Sequence, residues 1–235
     1  MLNPIIFSIE GNIGSGKSSI IEYLKSIKYE EFSILNKNIQ KIIFIPEPVD
    51  DWNTIKDSDG NNILAKFYKN KTKYSFSFQM MAYITRLSKI KNIIKNNPNS
   101  IFITERSLHT DKNVFAKMLY HQKNMEDVEF QIYNRWFNEF DIIKLTNIIY
   151  VKSEPDICKT RISIRNREGE QNISLDYLKQ CHQYHEDWLS SIQKDNIKEH
   201  NLLVLDGNID KKNKINYNEE VGNTIIKFIQ SICNK

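Results

Sequence analysis

Gly11-Asn12-Ile13-Gly14-Ser15-Gly16-Lys17-Ser18-Ser19 reads GNIGSGKSS and fills the pattern G-x-x-x-x-G-K-[ST] with Gly11, Gly16, Lys17 and Ser18. The apolar run from Pro4 to Ile9 before it has the character of a buried strand, and Ser19 to Leu24 after it reads as helix. Phosphate binding needs that order of strand, glycine loop and helix N-terminus. Glycines let successive backbone N–H groups curl around an anion, and the helix end adds partial positive charge. Lys17 is then placed to reach the β- and γ-phosphates, and the Ser18 hydroxyl to ligate Mg²⁺. A plain glycine-rich turn is the bland alternative, and a full match in the right context argues against it. The chain is expected to bind a nucleoside triphosphate through Gly11 to Ser19.

The 235 residues give room for one sizeable α/β domain with a proper core. Lys and Arg total 33 against 29 acids, a formal +4, too mild to argue for nucleic acid as the main ligand. Cys158, Cys181 and Cys233 are odd in number and widely spaced, without C-x-x-C, and read as free thiols in a reducing compartment. His182 and His185 next to Cys181 lack a second ligand pair and are expected on a helix surface rather than around a metal. The strand before the phosphate loop begins within a few residues of Met1, so no leader is expected, and no apolar stretch approaches the roughly 20 residues of a membrane span. A soluble, cytoplasmic protein is expected, with no membrane partner.

Short apolar runs at Ile5–Ile9, Ile42–Ile45, Ile101–Thr104, Asn147–Val151 and Leu202–Leu205 alternate with helical stretches. Five buried strands separated by helices predict a doubly wound parallel sheet covered on both faces. Helices are expected over Lys17–Ile27, Tyr74–Asn96, Asp111–Lys123, Asp127–Phe140, Glu154–Asn166, Ser174–Ser191 and Glu219–Cys233, with Asp51–Asn70 a mixture of helix and loop. No repeat, linker or composition break appears, so residues 1–235 read as a single domain. In such sheets ligands gather where the carboxyl ends of the strands open into the crevice. Glu47 follows the second strand and Glu105-Arg106-Ser107 the third, which puts these charges on the same rim as the phosphate loop. Solvated strand-end charge is the ordinary alternative, and coincidence with a complete loop favours catalysis.

Together GNIGSGKSS, EPVDDW (Glu47–Trp52), SFSFQMMAYITRL (Ser75–Leu87), ERSLHTD (Glu105–Asp111) and RISIRNREGEQ (Arg161–Gln171) resemble the deoxynucleoside kinase family, most closely its deoxycytidine/deoxyguanosine branch. The resemblance runs in order from residue 5 to about 210. It implies a P-loop kinase fold with an arginine-rich lid at about residues 161–173, ATP and Mg²⁺ as donor and metal, a deoxynucleoside acceptor and a homodimer. Glu47 would be the base that takes the proton of the 5′-hydroxyl, and Arg106 would hold Glu47 and the 5′-oxygen in line with the γ-phosphate. Glu105 would join Ser18 around the metal. Arg161, Arg165 and Arg167 would spread positive charge around the phosphoryl group in flight.

The acceptor pocket follows from the same resemblance. Gln79, Ala82 and Arg86 share one helix face, and the Gln79 amide carries both a donor and an acceptor for the edge of a base. Phe78 and Phe115 would sandwich the base, with Val49, Trp52 and Leu64 as apolar walls. Tyr68 and Glu170 would bind the 3′-hydroxyl of the sugar. Arg86 and Asp111 match the charged pair of the deoxycytidine/deoxyguanosine branch, which implies deoxyadenosine, deoxyguanosine or deoxycytidine as acceptor and thymidine as a poor one. Gly169 stands where relatives carry a second acidic lid residue, Tyr74 where tryptophan is common, and Asp206–Asp210 would lie near the donor base on a weak match.

Two rival readings fit the residues less well. A thymidylate-type monophosphate kinase must hold an acceptor phosphate, which the charge of Glu47 would repel. A non-catalytic scaffold would be expected to lose Lys17 or Glu47, and both are present. The aromatic run Phe130, Tyr133, Trp136 and Phe137 reads equally well as dimer interface or core.

Overall fold

The computed structural model describes residues 4–140, 143–167, 169–194, 200–209 and 214–234. Glu168 of the lid and Asp210 of the donor-side stretch therefore lie outside the described residues. Strands β1 (Ile5–Glu10), β2 (Lys41–Ile45), β3 (Ser100–Glu105), β4 (Asn147–Lys152) and β5 (Asn201–Asp206) pair in parallel in the order β2-β3-β1-β4-β5. Each predicted strand is present to within a residue. The chain lays β2 and β3 on one side of β1 and β4 and β5 on the other, so the strand order reverses at β1. A crevice opens at such a reversal, and the phosphate loop leaves β1 into it.

Strand periodicity sorts the two faces. Phe7 and Ile9 of β1 join Ile101, Ile103, Ile149 and Val151 on one face, under α1 (Lys17–Ser26) and, near the chain's end, the helix Lys214–Cys233, through Ile20, Leu24, Ile225 and Ile229. Ile6 points the other way, with Ile45 and Phe102, against Ile90 of the long helix Lys71–Asn96. Side chains alternate along a strand, and a buried Ile, Leu or Phe contributes about 1.5–3 kcal/mol, so both faces must be covered.

Helices α2 (Val49–Thr54) and α3 (Ile63–Lys69) resolve the mixed stretch after β2, and Lys71–Asn96 is α4. Asn70 ends α3 and caps α4, its side chain accepting from Lys73 N at 3.1 Å. After β3, α5 (Leu108–Thr110), a π-helical turn (Asp111–Ala116) and α6 (Lys117–His121) run on as one rod. Helices α7 (Asp127–Phe140), α8 (Pro155–Arg165), α9 (Leu175–Lys194) and α10 (Lys214–Cys233) complete the layers.

The aromatic run on α7 divides. Tyr133 and Phe137 are buried against Tyr83, whereas Trp136 is 43 % exposed and stacks on Phe140. All three cysteines are free and buried. His185 corrects the expectation of a surface histidine. It is fully buried, its Nδ1 2.6 Å from the Cys181 carbonyl and its ring stacked on Tyr150, because α9 turns that face onto the sheet. Among the described residues no helix is long and apolar enough to cross a membrane.

Candidate active site

The phosphate loop is shaped by close approach as much as by its glycines' freedom. Gly14 has φ +78°, and a Cβ there would sit 2.6 Å from the Cys158 carbonyl oxygen of α8. Gly16 enters α1 at φ +104°, a left-handed conformation that costs other residues about 1–2 kcal/mol. Lys17 folds back beneath the loop, donating to the carbonyls of Gly11 at 3.1 Å and Asn12 at 2.8 Å. Burial, with Arg106 beside it, lowers its ammonium to about 7 against the opposing pull of Glu105 and Glu47.

Gly11 and Asn12 themselves do not line the cleft. The Asn12 side chain turns inward, donating to Leu178 O and accepting from Ile13 N. Residues Ile13 to Ser19 do line it.

Two rigid strand exits bring the acidic and basic groups to the loop. Glu47 sits between Pro46 and Pro48, whose rings restrict the backbone on both sides. Arg106 adopts φ +61°, an uncommon left-handed value for a non-glycine residue, and its N–H donates to Ile9 O of β1 at 3.0 Å. That turn aims its guanidinium at Glu47, Nη1 to Oε1 being 2.7 Å. Arg86 of α4 donates to the same oxygen at 3.0 Å, to the Glu105 carbonyl at 2.8 Å and to Asp111 through Nε at 2.8 Å and Nη2 at 3.3 Å. Burial raises the Glu47 carboxyl, but Arg106, Arg86 and Lys17 outweigh it and hold the group at about 2. Burial likewise pushes Asp111 upward, and the two-point contact with Arg86 opposes that and fits a carboxylate. A buried cluster of this kind gains little stability over apolar packing. Its effect is to fix Glu47 in one place and one charge state.

Ser18 Oγ donates to Glu105 Oε1 at 2.8 Å, a hydroxyl and a carboxylate side by side at the mouth of the loop. Arg161 of α8 reaches across, Nη1 to Ser15 O at 3.1 Å and Nη2 to Ile209 O at 2.9 Å. Arg165 and Arg167 both pair with Glu170, one on each carboxylate oxygen. Gly169, at φ +85°, packs against Ala65 of α3 and so brings this segment over the cleft.

One cleft of about 580 Å³ joins the loop to the apolar pocket. Val49, Trp52, Leu64, Phe78, Ala82 and Phe115 form its walls, and Gln79, Arg86, Asp111, Tyr68 and Glu170 its polar points. The Gln79 Oε1 is buried with no partner among the described residues. A π-helical turn carries both Asp111 and Phe115 to the cleft, and such turns gather at functional sites.

The sequence reading missed Phe67 and Tyr177. Phe67 stacks on Phe78 with centroids 4.7 Å apart, and Tyr177 of α9 meets Tyr68 edge to face at 6.1 Å. It also missed Tyr217 and Asn218 of α10, at the far end of the cleft. None of these belongs to a motif, and a one-residue shift from Tyr68 on α3 was the only available hint of Phe67.

The family model for deoxynucleoside kinase matches residues 7–234. A probable deoxycytidine kinase of Fowlpox virus is 34 % identical over 228 residues, covering 96 % of this chain and 88 % of its own. Deoxycytidine kinase of Homo sapiens is 32 % identical over 222 residues, covering 88 % and 85 %. Mitochondrial deoxyguanosine kinase of Xenopus laevis is 26 % identical over 238 residues, covering 96 % and 89 %. With the loop, the five-stranded parallel sheet and these likenesses spanning most of its length, the chain belongs to the deoxynucleoside kinase family and is a phosphotransferase acting on an alcohol group.

Proposed function

We propose that the protein transfers the γ-phosphate of ATP, or of another nucleoside triphosphate, to the 5′-hydroxyl of a deoxynucleoside, and that it favours deoxyadenosine, deoxyguanosine or deoxycytidine over thymidine. The observation that carries this reading is Glu47, ionised and held by Arg106 and Arg86 in the same cleft that the phosphate loop lines. A carboxylate at the acceptor end suits a hydroxyl and repels a monophosphate. The guanidinium groups of Arg106 and Arg86 hold it in the carboxylate form, the form that can accept the hydroxyl proton as the oxygen bonds to phosphorus.

Loop N–H groups of residues 13–19 and Lys17 bind the donor phosphates, and Arg106 aligns the acceptor oxygen beside Glu47. Arg161, Arg165 and Arg167 of the lid bring positive charge to the transferred group. Ser18 and Glu105 are an all-oxygen pair that fits Mg²⁺, which when bound offsets phosphate charge. Gln79 offers its unpartnered oxygen to the base edge between Phe78 and Phe115, and Tyr68 with Glu170 takes the 3′-hydroxyl. A buried, charged Arg86–Asp111 pair on the cleft wall supports a pocket without room for a 5-methyl group, and the relatives' names agree with a non-thymidine acceptor. Its role is deoxynucleoside salvage in the cytoplasm, as a homodimer. Val128, Ile132 and Trp136 of α7 and Ile84 of α4 are exposed on two packed helices and support that assembly, which light scattering tests.

The deciding assay is ATP- and Mg²⁺-dependent phosphorylation of deoxyadenosine, deoxyguanosine, deoxycytidine and thymidine beside thymidine monophosphate. Turnover of a purine nucleoside or deoxycytidine with weak thymidine is expected. Dominant thymidine use discards the specificity argument, and use of the monophosphate alone overturns the role of Glu47.

A further inference from the structure

Lys71 is the first residue of α4, three positions after Tyr68 and across the break at Asn70. Its Nζ lies 5.2 Å from the centre of the Tyr177 ring and 6.0 Å from that of Tyr68. The same two rings meet edge to face, and both line the cleft alongside Glu170. Lys71 thus touches the point where α3, α4 and α9 converge on the pocket.

The position is unfavourable to an ammonium on local grounds. A helix N-terminus carries partial positive charge, and α4 is 26 residues long. The side chain is half-buried, and burial pushes its pKa down. Among the described residues no carboxylate pairs with it. The π faces of two tyrosines are what attract it there. Tyr68, meanwhile, keeps its proton, since burial and the charge of Glu170 both raise its pKa. It can therefore donate a hydrogen bond, provided the ring is held in one orientation.

We propose that Lys71 is a positioning residue for sugar recognition, its ammonium bridging the Tyr68 and Tyr177 rings so that the Tyr68 hydroxyl is aimed at the 3′-hydroxyl of the acceptor. This rests on the reading that Tyr68 and Glu170 contact that hydroxyl. Lys71 touches neither substrate nor phosphate, so its effect falls on acceptor KM and not on kcat. The effect is also confined to substrates that carry a 3′-hydroxyl.

The test compares the best of the four deoxynucleosides with its 2′,3′-dideoxy counterpart, in the wild type, Lys71→Met, Lys71→Arg, Tyr68→Phe and the Lys71→Met/Tyr68→Phe double variant. Lys71→Met should raise KM for the deoxynucleoside by about three- to tenfold, the range of one or two cation–π contacts, with kcat within twofold and the dideoxy substrate unchanged. Lys71→Arg should restore the preference, and Lys71→Met should add nothing to it once Tyr68 is Phe. An unchanged preference in Lys71→Met, or an equal rise in KM for both substrates, overturns the proposal, the second outcome marking a merely structural lysine. A wild type indifferent to the 3′-hydroxyl overturns the sugar-contact reading itself, which separates the two failures.

Discussion

Arg106 Nη1 lies 2.7 Å from Glu47 Oε1, a contact that ties together the carboxyl ends of the neighbouring strands β2 and β3. Arg86 of α4 closes the arrangement through the same oxygen. Two guanidinium groups on one carboxylate oxygen orient Glu47 and favour its ionised form.

Glu47→Gln keeps the shape of the side chain and removes its capacity to take a proton. We expect kcat to fall by about 10²–10⁴-fold, while donor affinity, measured by nucleotide titration, changes by less than severalfold. Retained turnover in this variant would show that the proton goes elsewhere.

The loop makes a separate demand. Gly14→Ala would place a methyl 2.6 Å from the Cys158 carbonyl at a left-handed φ. Either loop or helix must shift, so donor affinity should drop at least about tenfold, the equivalent of about 1.4 kcal/mol. Isothermal titration with a non-hydrolysable donor analogue measures it directly.

Arg86→Met should raise the thymidine-to-deoxycytidine ratio of kcat/KM by clearing space and charge at the edge of the base. The change also strands the buried Asp111 carboxylate, and breaking such a pair costs about 3–5 kcal/mol. Pairing it with Asp111→Asn keeps the shape and removes the stranded charge. Equal substrate ratios in the single and double variants and the wild type would refute the specificity assignment.

His185 gives the fold an acid sensitivity. Burial lowers its pKa to about 3, the hydrogen bond to the Cys181 carbonyl opposing in part, against an ordinary value of about 6.5. Between those values the unfolded chain binds a proton that the folded chain does not. Its contribution to stability is therefore complete above about pH 6.5 and is lost as pH falls toward 3. From pH 7.5 to 5 that loss reaches about 2 kcal/mol. His185→Asn, with an amide placed to donate to the same carbonyl, should flatten the difference, as urea unfolding at the two pH values would reveal. Parallel curves for variant and wild type would argue against it.

Local signals were enough for the elements that local backbone chemistry governs. Five apolar runs marked five strands, and GNIGSGKSS marked a loop whose three glycines all take positive φ. The charged residues at the ends of β2 and β3 were readable as rim residues because a parallel sheet sends all its strand exits to one edge. Asp51–Asn70 stayed ambiguous for want of a sustained period, and it became two short helices separated by a bridge between Lys56 and Asn62.

What the amino-acid sequence determined by itself was the α/β alternation, the phosphate loop and the identity of the groups on the rim, all properties of neighbouring residues and their periodicity. The family resemblance already implied the pairing of Arg86 with Asp111 across 25 positions, but only the tertiary structure decided that Arg86 also reaches Glu47 across 39. It alone stacked Phe67 behind Phe78, brought Tyr177 and Lys71 to Tyr68, and turned His185 into the core. The reason is physical. A side chain's partners depend on which layers the strand order β2-β3-β1-β4-β5 brings face to face, and that choice is made by burial of whole faces rather than by any one segment's pattern.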